Sequence, residues 1–133
     1  MCMYTKTSEA SYAKEDIVCY KVMAKSGYND NGWVTPYMRT PVSNSIVSGE
    51  KNFKANSYEG VRANYTCSKS FAITSGFIHT FASPSDAMIH ARFFSCGKVF
   101  ACIIPKGVKY YRSSNGLYYA SKEIKFVKRL TLK

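Results

Sequence analysis

The strongest structural signal in this sequence is a helix start at residues 83–86, Ser-Pro-Ser-Asp, which stands between two strand-like runs. Ser83 can accept a hydrogen bond from the backbone N–H of Asp86, and proline is well tolerated at the first helical position. Apolar residues then recur at helical spacing as far as Phe94. The sequence therefore predicts one main amphipathic helix at about 84–95, with strands before and after it.

The runs around this helix have the composition of strands. "DIVCYKVMA" and "ITSGFIHTFAS" are rich in β-branched and aromatic residues, and "KVFACIIP" is apolar almost throughout, as expected of a central strand. A Ser-Asn-Gly turn at 114–116 separates two further strand-like pieces, and Ile124 and Phe126 should point inward from the last run, "EIKFVKRLTL". These patterns predict an α+β fold with a mostly antiparallel sheet and one main helix.

The length of 133 residues is sufficient for one hydrophobic core. Residues 1–15 are polar and predict an N-terminal arm, so residues 16–133 should form a single small domain. Residues 43–70 are rich in Ser and Asn and predict loops, with room for one short strand or helical turn. Binding residues often lie in such loops.

Basic residues far outnumber acidic ones, 19 to 8, which gives a formal net charge of +11. The excess is concentrated in the last third of the chain, where Glu123 is the single acid among nine bases. These bases are Lys98, Lys106, Lys109, Arg112, Lys122, Lys125, Lys128, Arg129 and Lys133. Such a charge favours an anionic partner, either a nucleotide or other phosphate-bearing ligand or a nucleic acid. Glu123 is then either a carboxylate in a cationic site or an ion-pair partner at the surface.

Cysteine usage predicts a reducing, cytoplasmic setting. The five cysteines are an odd number and contain no CxxC, so neither a disulfide framework nor a zinc site is indicated. His79, His90, Cys96 and Cys102 have no common metal-ligand spacing, and we expect no metal. No apolar run approaches the roughly 20 residues that span a bilayer, so no membrane association is expected.

Two aromatic and basic segments offer the chemistry of phosphate binding beside stacking surfaces. "IPKGVKYYR" combines Lys106 and Arg112 with Tyr110, and "NGWVTPYMRTP" combines Trp33 with Arg39. The alternative is that one tyrosine of the first segment is a core residue and its lysines are simply exposed, and that Trp33 is a core anchor.

The two histidines, His79 and His90, are predicted on a strand and on the following helix. They are either an acid–base pair or one packed and one surface histidine. The sequence has no GxxxxGK[ST], GxGxxG, nucleophile elbow or HExxH, which excludes the commonest ATPases, dehydrogenases, hydrolases and zinc proteases.

Three stretches at about 72–132 resemble the distal part of the ADP-ribosyltransferase fold: "GFIHTFASPSDAMIHA", the apolar run that ends in Ile-Pro-Lys-Gly, and "SKEIKFVKRL". In that family a "GF-S-T-S" strand precedes a helix, a strand ends in "PKG", and a last motif carries the catalytic glutamate. The same region also resembles small phage and gut-bacterial proteins that begin with "YKV". The fold expected is thus ADP-ribosyltransferase-like.

The resemblance implies a transferase that uses NAD, with Glu123 catalytic and Thr80 supporting the site. Ser121 stands where some transferases carry the first member of the last motif. This sequence departs from the pattern, because His79 replaces a serine beside Thr80 and the first strand offers only Tyr20 and lysines where the family has Arg or His.

We therefore expect binding more than catalysis, with no cofactor apart from NAD in the transferase alternative. The resemblance to phage proteins implies an anti-defence accessory factor that sequesters a nucleotide signal or inhibits a host protein. A further alternative is non-specific binding of nucleic acid. The predicted ligand-binding residues are Tyr20, Lys21, Arg39, His79, Lys106, Tyr110 and Arg112.

Overall fold

Strands account for most of the regular structure in the computed structural model, which describes residues 3–5, 10–26, 29–36, 40–55, 71–73, 76–94 and 97–131. The strands are β1 (Met3–Thr5), β2 (Ser11–Tyr12), β3 (Ile17–Ser26), β4 (Asn29–Val34), β5 (Pro41–Val42), β6 (Phe53–Lys54), β7 (Phe71–Ile73), β8 (Ile78–Phe81), β9 (Lys98–Ile104), β10 (Lys109–Arg112), β11 (Tyr118–Ser121) and β12 (Glu123–Arg129). The helices are α1 (Asn44–Val47) and α2 (Pro84–Ala91).

Ten of these strands form one antiparallel sheet around β3. Eight follow the order β2-β10-β11-β8-β3-β9-β12-β6, while β4 and β5 branch from the end of β3. The first seven residues of β3, Ile17 to Met23, pair with β9, and Ala24 to Ser26 pair with β4. Strands β1 and β7 form a separate two-stranded sheet.

Side-chain alternation gives the large sheet two faces. Cys19, Lys21 and Met23 of β3 lie on what we call the core face, as do Cys102 and Phe100, the cross-strand partners of Cys19 and Lys21. The buried apolar cluster on this side consists of Ala13, Cys19, Met23, Trp33, Val42, Phe53, Ile78, Phe100, Cys102, Ile104, Ile124 and Phe126. Trp33 of β4 meets Phe100 edge to face, with ring centroids 5.1 Å apart, so the β4–β5 branch contributes to this core.

The opposite side, which we call the helix face, carries α2. Ala87 and Ala91 of the helix pack against Val22, Phe81 and Val99. The two alanines are fully or almost fully buried, so their small side chains let the helix lie close to the sheet.

The predicted helix start is confirmed, and the helix ends earlier than expected. Ser83 Oγ accepts a hydrogen bond from the backbone N–H of Asp86 at 3.3 Å, with proline in the first turn. The helix stops at Ala91, where the sequence predicted a helix to residue 95. The N–H groups of Arg92, Phe93 and Phe94 instead donate to carbonyls three residues back, which tightens the chain into turns.

The α+β prediction is wrong. The described residues form a mostly antiparallel β structure with a ten-stranded sheet and only two short helices, which is closer to an all-β fold. The helix start was a strong local signal, but it introduces just eight residues of helix. Several strands have only two residues, too few for any alternation of side chains to predict them.

The longer predicted strands are confirmed as β3, β9 and β12, and Ile124 and Phe126 point inward. Strand β2 lies within the predicted N-terminal arm and pairs with β10 at the sheet edge; the division into arm and domain stays a prediction. In the described part of the chain, neither helix has the length and hydrophobicity needed to cross a bilayer.

Candidate functional site

A buried lysine marks the centre of the sheet. Strands β3 and β8 pair at one position, Tyr20 with Phe81. The next residue of β3, Lys21, is only 5% exposed, and its Nζ donates a hydrogen bond of 2.9 Å to the carbonyl oxygen of His79 on β8. A side-chain ammonium thus links the two strands where the ladder of backbone bonds ends. Burying an ammonium is costly, and such lysines are uncommon in cores.

Two buried hydroxyl groups lie on the same face as this lysine. Thr80 follows His79 on β8, level with Lys21, and Ser121 belongs to the neighbouring strand β11. Both residues are fully buried, and within the described part of the chain neither Thr80 Oγ1 nor Ser121 Oγ has a nitrogen or oxygen hydrogen-bond partner. A buried hydroxyl without a partner costs about 1–3 kcal/mol. We refer to Lys21, Thr80 and Ser121 as the polar cluster.

The row of cross-strand partners continues from the polar cluster toward the sheet edge. Tyr119 of β11 is opposite Thr80, and Arg112 of β10 is opposite Tyr119. The Arg112 guanidinium carbon lies 5.6 Å from the centre of the Tyr119 ring, and the Tyr110 ring meets Tyr119 edge to face. Arg112 is exposed and the tyrosines are half-buried, so the row leads from the core to the surface.

His79 points to the opposite side of the sheet from Thr80. It is 6% exposed, and neither ring nitrogen has a hydrogen-bond partner among the described residues. Burial, helped by the nearby Lys21 charge, lowers the pKa of His79 from 6.5 to about 3. The imidazole is therefore neutral at physiological pH, and alternation along β8 separates it from the Thr80 hydroxyl, although the two residues are adjacent in sequence.

We expect acid to destabilise the protein through His79. His79 binds a proton near pH 6.5 in the unfolded chain but only near pH 3 in the folded chain. Protonation below pH 6.5 therefore favours the unfolded chain, and the free energy of unfolding falls as the pH falls from 6.5 toward 3. At about 1.4 kcal/mol per pH unit, the free energy of unfolding should fall by about 2 kcal/mol between pH 7 and pH 5.

Urea unfolding of the wild type and of His79→Leu at both pH values measures this effect. The variant should lose most of the difference between pH 7 and pH 5. His90→Gln is the matched control: burial also lowers the pKa of His90, but that residue is only half-buried. An unchanged pH dependence in His79→Leu would show that other groups cause the loss.

Two cysteines face each other beside the polar cluster. Cys19 and Cys102 are cross-strand partners, and both are buried free thiols. Burial raises the pKa of Cys19 to about 12, although the Thr80 hydroxyl and the Lys21 charge each lower it. A thiol is only a weak hydrogen-bond partner, so this contact leaves the Thr80 hydroxyl largely unsatisfied. Burial also raises the pKa of Cys102 well above its ordinary value. Both thiols are therefore protonated and unreactive. Among the described residues there is no group of three or more His, Cys, Asp or Glu side chains that could hold a metal ion.

The other predicted site residues are distributed over the molecule. Tyr20 is half-buried on the helix face. Lys106 is exposed, and its backbone N–H donates to Asp16. Glu123 begins β12 and accepts a hydrogen bond from the Asn52 side chain. Arg39 lies outside the described residues.

The structure thus brings together Lys21 and Thr80. Arg112 lies farther along the same row, and Tyr110 lies beside the row, opposite Ser121. The ligand-site prediction omitted Ser121 and Tyr119. The run "YYAS" did carry a signal, because alternate residues of a strand share a face, but the partner strand had to be known before this signal could be used.

No protein-family model matches the chain, and no curated protein or solved structure matches it. The resemblance to ADP-ribosyltransferases and to the phage proteins therefore stays a prediction.

Proposed function

We propose that the protein binds a phosphate-bearing small molecule, such as a nucleotide, at the polar cluster. The observation that carries this proposal is a pair of buried hydroxyls, on Thr80 and Ser121, that lie beside a buried ammonium and have no nitrogen or oxygen hydrogen-bond partner among the residues that the structure describes. Phosphate oxygens accept hydrogen bonds from hydroxyls and, more strongly, from ammonium groups. Thr80 and Ser121 are diagonal neighbours on the same face of adjacent strands, and a phosphate that reached both hydroxyls would satisfy them.

The outer part of the row supports a nucleotide over a bare phosphate. Arg112 lies over Tyr119, and Tyr110 lies beside that ring. Aromatic rings stack on bases, and a guanidinium contributes both charge and stacking. In this arrangement the phosphate would lie at the buried end of the row and the base at the half-buried end.

The contacts of Glu123 give no support to the transferase alternative. Its carboxylate accepts a hydrogen bond from Asn52, and Lys54 is its cross-strand partner at the end of the sheet. These contacts account for a single acid in a basic region. The function that we propose is therefore ligand binding. The phage and host-inhibition roles rest on the resemblance alone.

Thermal unfolding with a panel of ligands tests the proposal. The panel contains inorganic pyrophosphate, ADP-ribose, NAD and cyclic mono- and dinucleotides. A ligand at 100 times its dissociation constant adds about 2.7 kcal/mol, which raises the unfolding midpoint by several degrees. We expect at least one nucleotide to do so. If no member of the panel shifts the midpoint, the proposal fails.

Removing the Thr80 hydroxyl should separate stability from binding. Thr80→Val keeps the shape of the side chain and removes an unpaired polar group, so the free protein should gain about 1 kcal/mol. The same variant should lose most of the ligand-induced shift. Calorimetry with and without the active ligand measures both quantities.

Lys51→Gln, which removes one exposed charge near α1, is the matched control and should respond to ligand as the wild type does. A Thr80→Val protein that is less stable than the wild type, or that keeps the full ligand shift, would contradict the role given to this hydroxyl.

A further inference from the structure

A second group of aromatic and basic side chains lies on the helix face, on the opposite side of the sheet from the polar cluster. Phe77, Tyr111 and Tyr118 pack around the fully buried Ala120 and remain half-buried. The Phe77 and Tyr111 rings meet edge to face at 5.3 Å. Tyr12 of the edge strand β2 is 65% exposed, and the register with β10 places it on this same side.

Two lysines are positioned among these rings. Lys122 donates to the carbonyl oxygen of Gly76 at 2.7 Å, and its Nζ lies 4.2 Å from the centre of the Phe77 ring. Lys109 is the cross-strand partner of Tyr12. We call these six residues, Tyr12, Phe77, Lys109, Tyr111, Tyr118 and Lys122, the aromatic surface. Strands β2, β8, β10 and β11, which carry most of it, contain no Asp or Glu.

We propose that the aromatic surface binds single-stranded nucleic acid. Single-strand binding sites combine stacking rings with cations that contact the phosphates, and each stacked base contributes to affinity regardless of sequence. The aromatic surface supplies both the stacking rings and the cations, and the formal net charge of +11 favours the approach of a polyanion. The absence of acids from the four strands fits a phosphate backbone better than a protein surface, which carries charges of both signs. This inference is independent of the small-molecule site.

Fluorescence anisotropy with a labelled oligothymidylate of about 20 nucleotides tests the proposal. Binding should be detectable at low salt and should weaken steeply as salt is added. Lys109→Gln combined with Lys122→Gln should weaken binding about tenfold or more and should reduce the slope of log affinity against log salt by about 1.4, the effect of two lost phosphate contacts.

The control for net charge is Lys125→Gln combined with Lys128→Gln. It removes two exposed lysines from β12, a strand outside the aromatic surface. This control should bind nearly as the wild type does. Equal losses in the two double variants would overturn the proposal, because they would show that the protein acts only through its total charge.

Tyr12 provides the test of stacking. Tyr12→Ala should weaken binding about fivefold or more without changing the salt slope, while Tyr12→Phe, which keeps the ring, should bind as the wild type does. Thermal unfolding without oligonucleotide confirms that each variant is folded. Thr80→Val should bind the oligonucleotide normally. No binding by the wild type, or full binding by Tyr12→Ala, would overturn the proposal and favour a protein partner for this surface.

Discussion

Replacing Phe126 with alanine should lower the free energy of unfolding by about 3–5 kcal/mol, the usual cost of removing a buried phenylalanine. Phe126 is 1% exposed at the centre of the core face. Its ring stacks on Phe53 with centroids 6.4 Å apart and meets Phe100 edge to face at 5.4 Å. The variant would leave a cavity beside the Phe53 and Phe100 rings, which belong to two separate strands and cannot both move to fill it.

Urea unfolding monitored by circular dichroism measures this loss. Val127→Ala is a matched control, because the neighbouring residue on the same strand is 56% exposed and its truncation should change stability by no more than about 0.5 kcal/mol. A loss below about 1 kcal/mol for Phe126→Ala would mean that this part of the core is not packed as described.

Replacing Gly49 with alanine should cost about 3 kcal/mol, for two separate reasons. Gly49 has a φ of +89°, a conformation that costs an L-residue about 1–2 kcal/mol. A Cβ at this position would also lie 2.6 Å from the carbonyl oxygen of Phe126, which is part of the backbone and cannot rotate away. The turn after α1 would have to move off β12.

Gly107→Ala separates these two causes. Gly107 has the same φ of +89°, but a Cβ there would meet nothing within 4 Å. It should therefore show the conformational cost alone, about 1–2 kcal/mol. Equal losses for the two variants in denaturant unfolding would show that the close approach of Gly49 to β12 contributes nothing.

Local sequence patterns are sufficient to predict the longer strands and the start of the main helix. The apolar run "KVFACIIP" became the central strand β9, the alternation around Ile124 and Phe126 became β12, and the Ser83 cap begins α2. Each of these signals depends on residues within one segment, so it can be recognised without knowing the partner.

The fold class and the candidate site depend on pairing between distant segments, which the sequence does not reveal. The polar cluster exists because β3, β8 and β11 are neighbours in the sheet. Lys21 is a predicted ligand-binding residue, but its hydrogen bond to the His79 carbonyl oxygen can be recognised only when the pairing of β3 with β8 is known. His79 and Thr80 are both predicted site residues and are adjacent in sequence, but strand alternation places their side chains on opposite faces of the sheet.

The central position of β3 also has a consequence for how the chain folds. Its main partner, β9, follows about 80 residues later, with Cys19 opposite Cys102. Closing so long a loop has a high entropic cost before any contact compensates for it, so we expect slow folding dominated by this one pairing. During synthesis, β3 leaves the ribosome long before β9. Ala24 to Ser26 can pair early with β4, but Ile17 to Met23 must wait for their partner strand. A newly made chain is then exposed to aggregation, and its protection in the cell depends on how long that wait lasts.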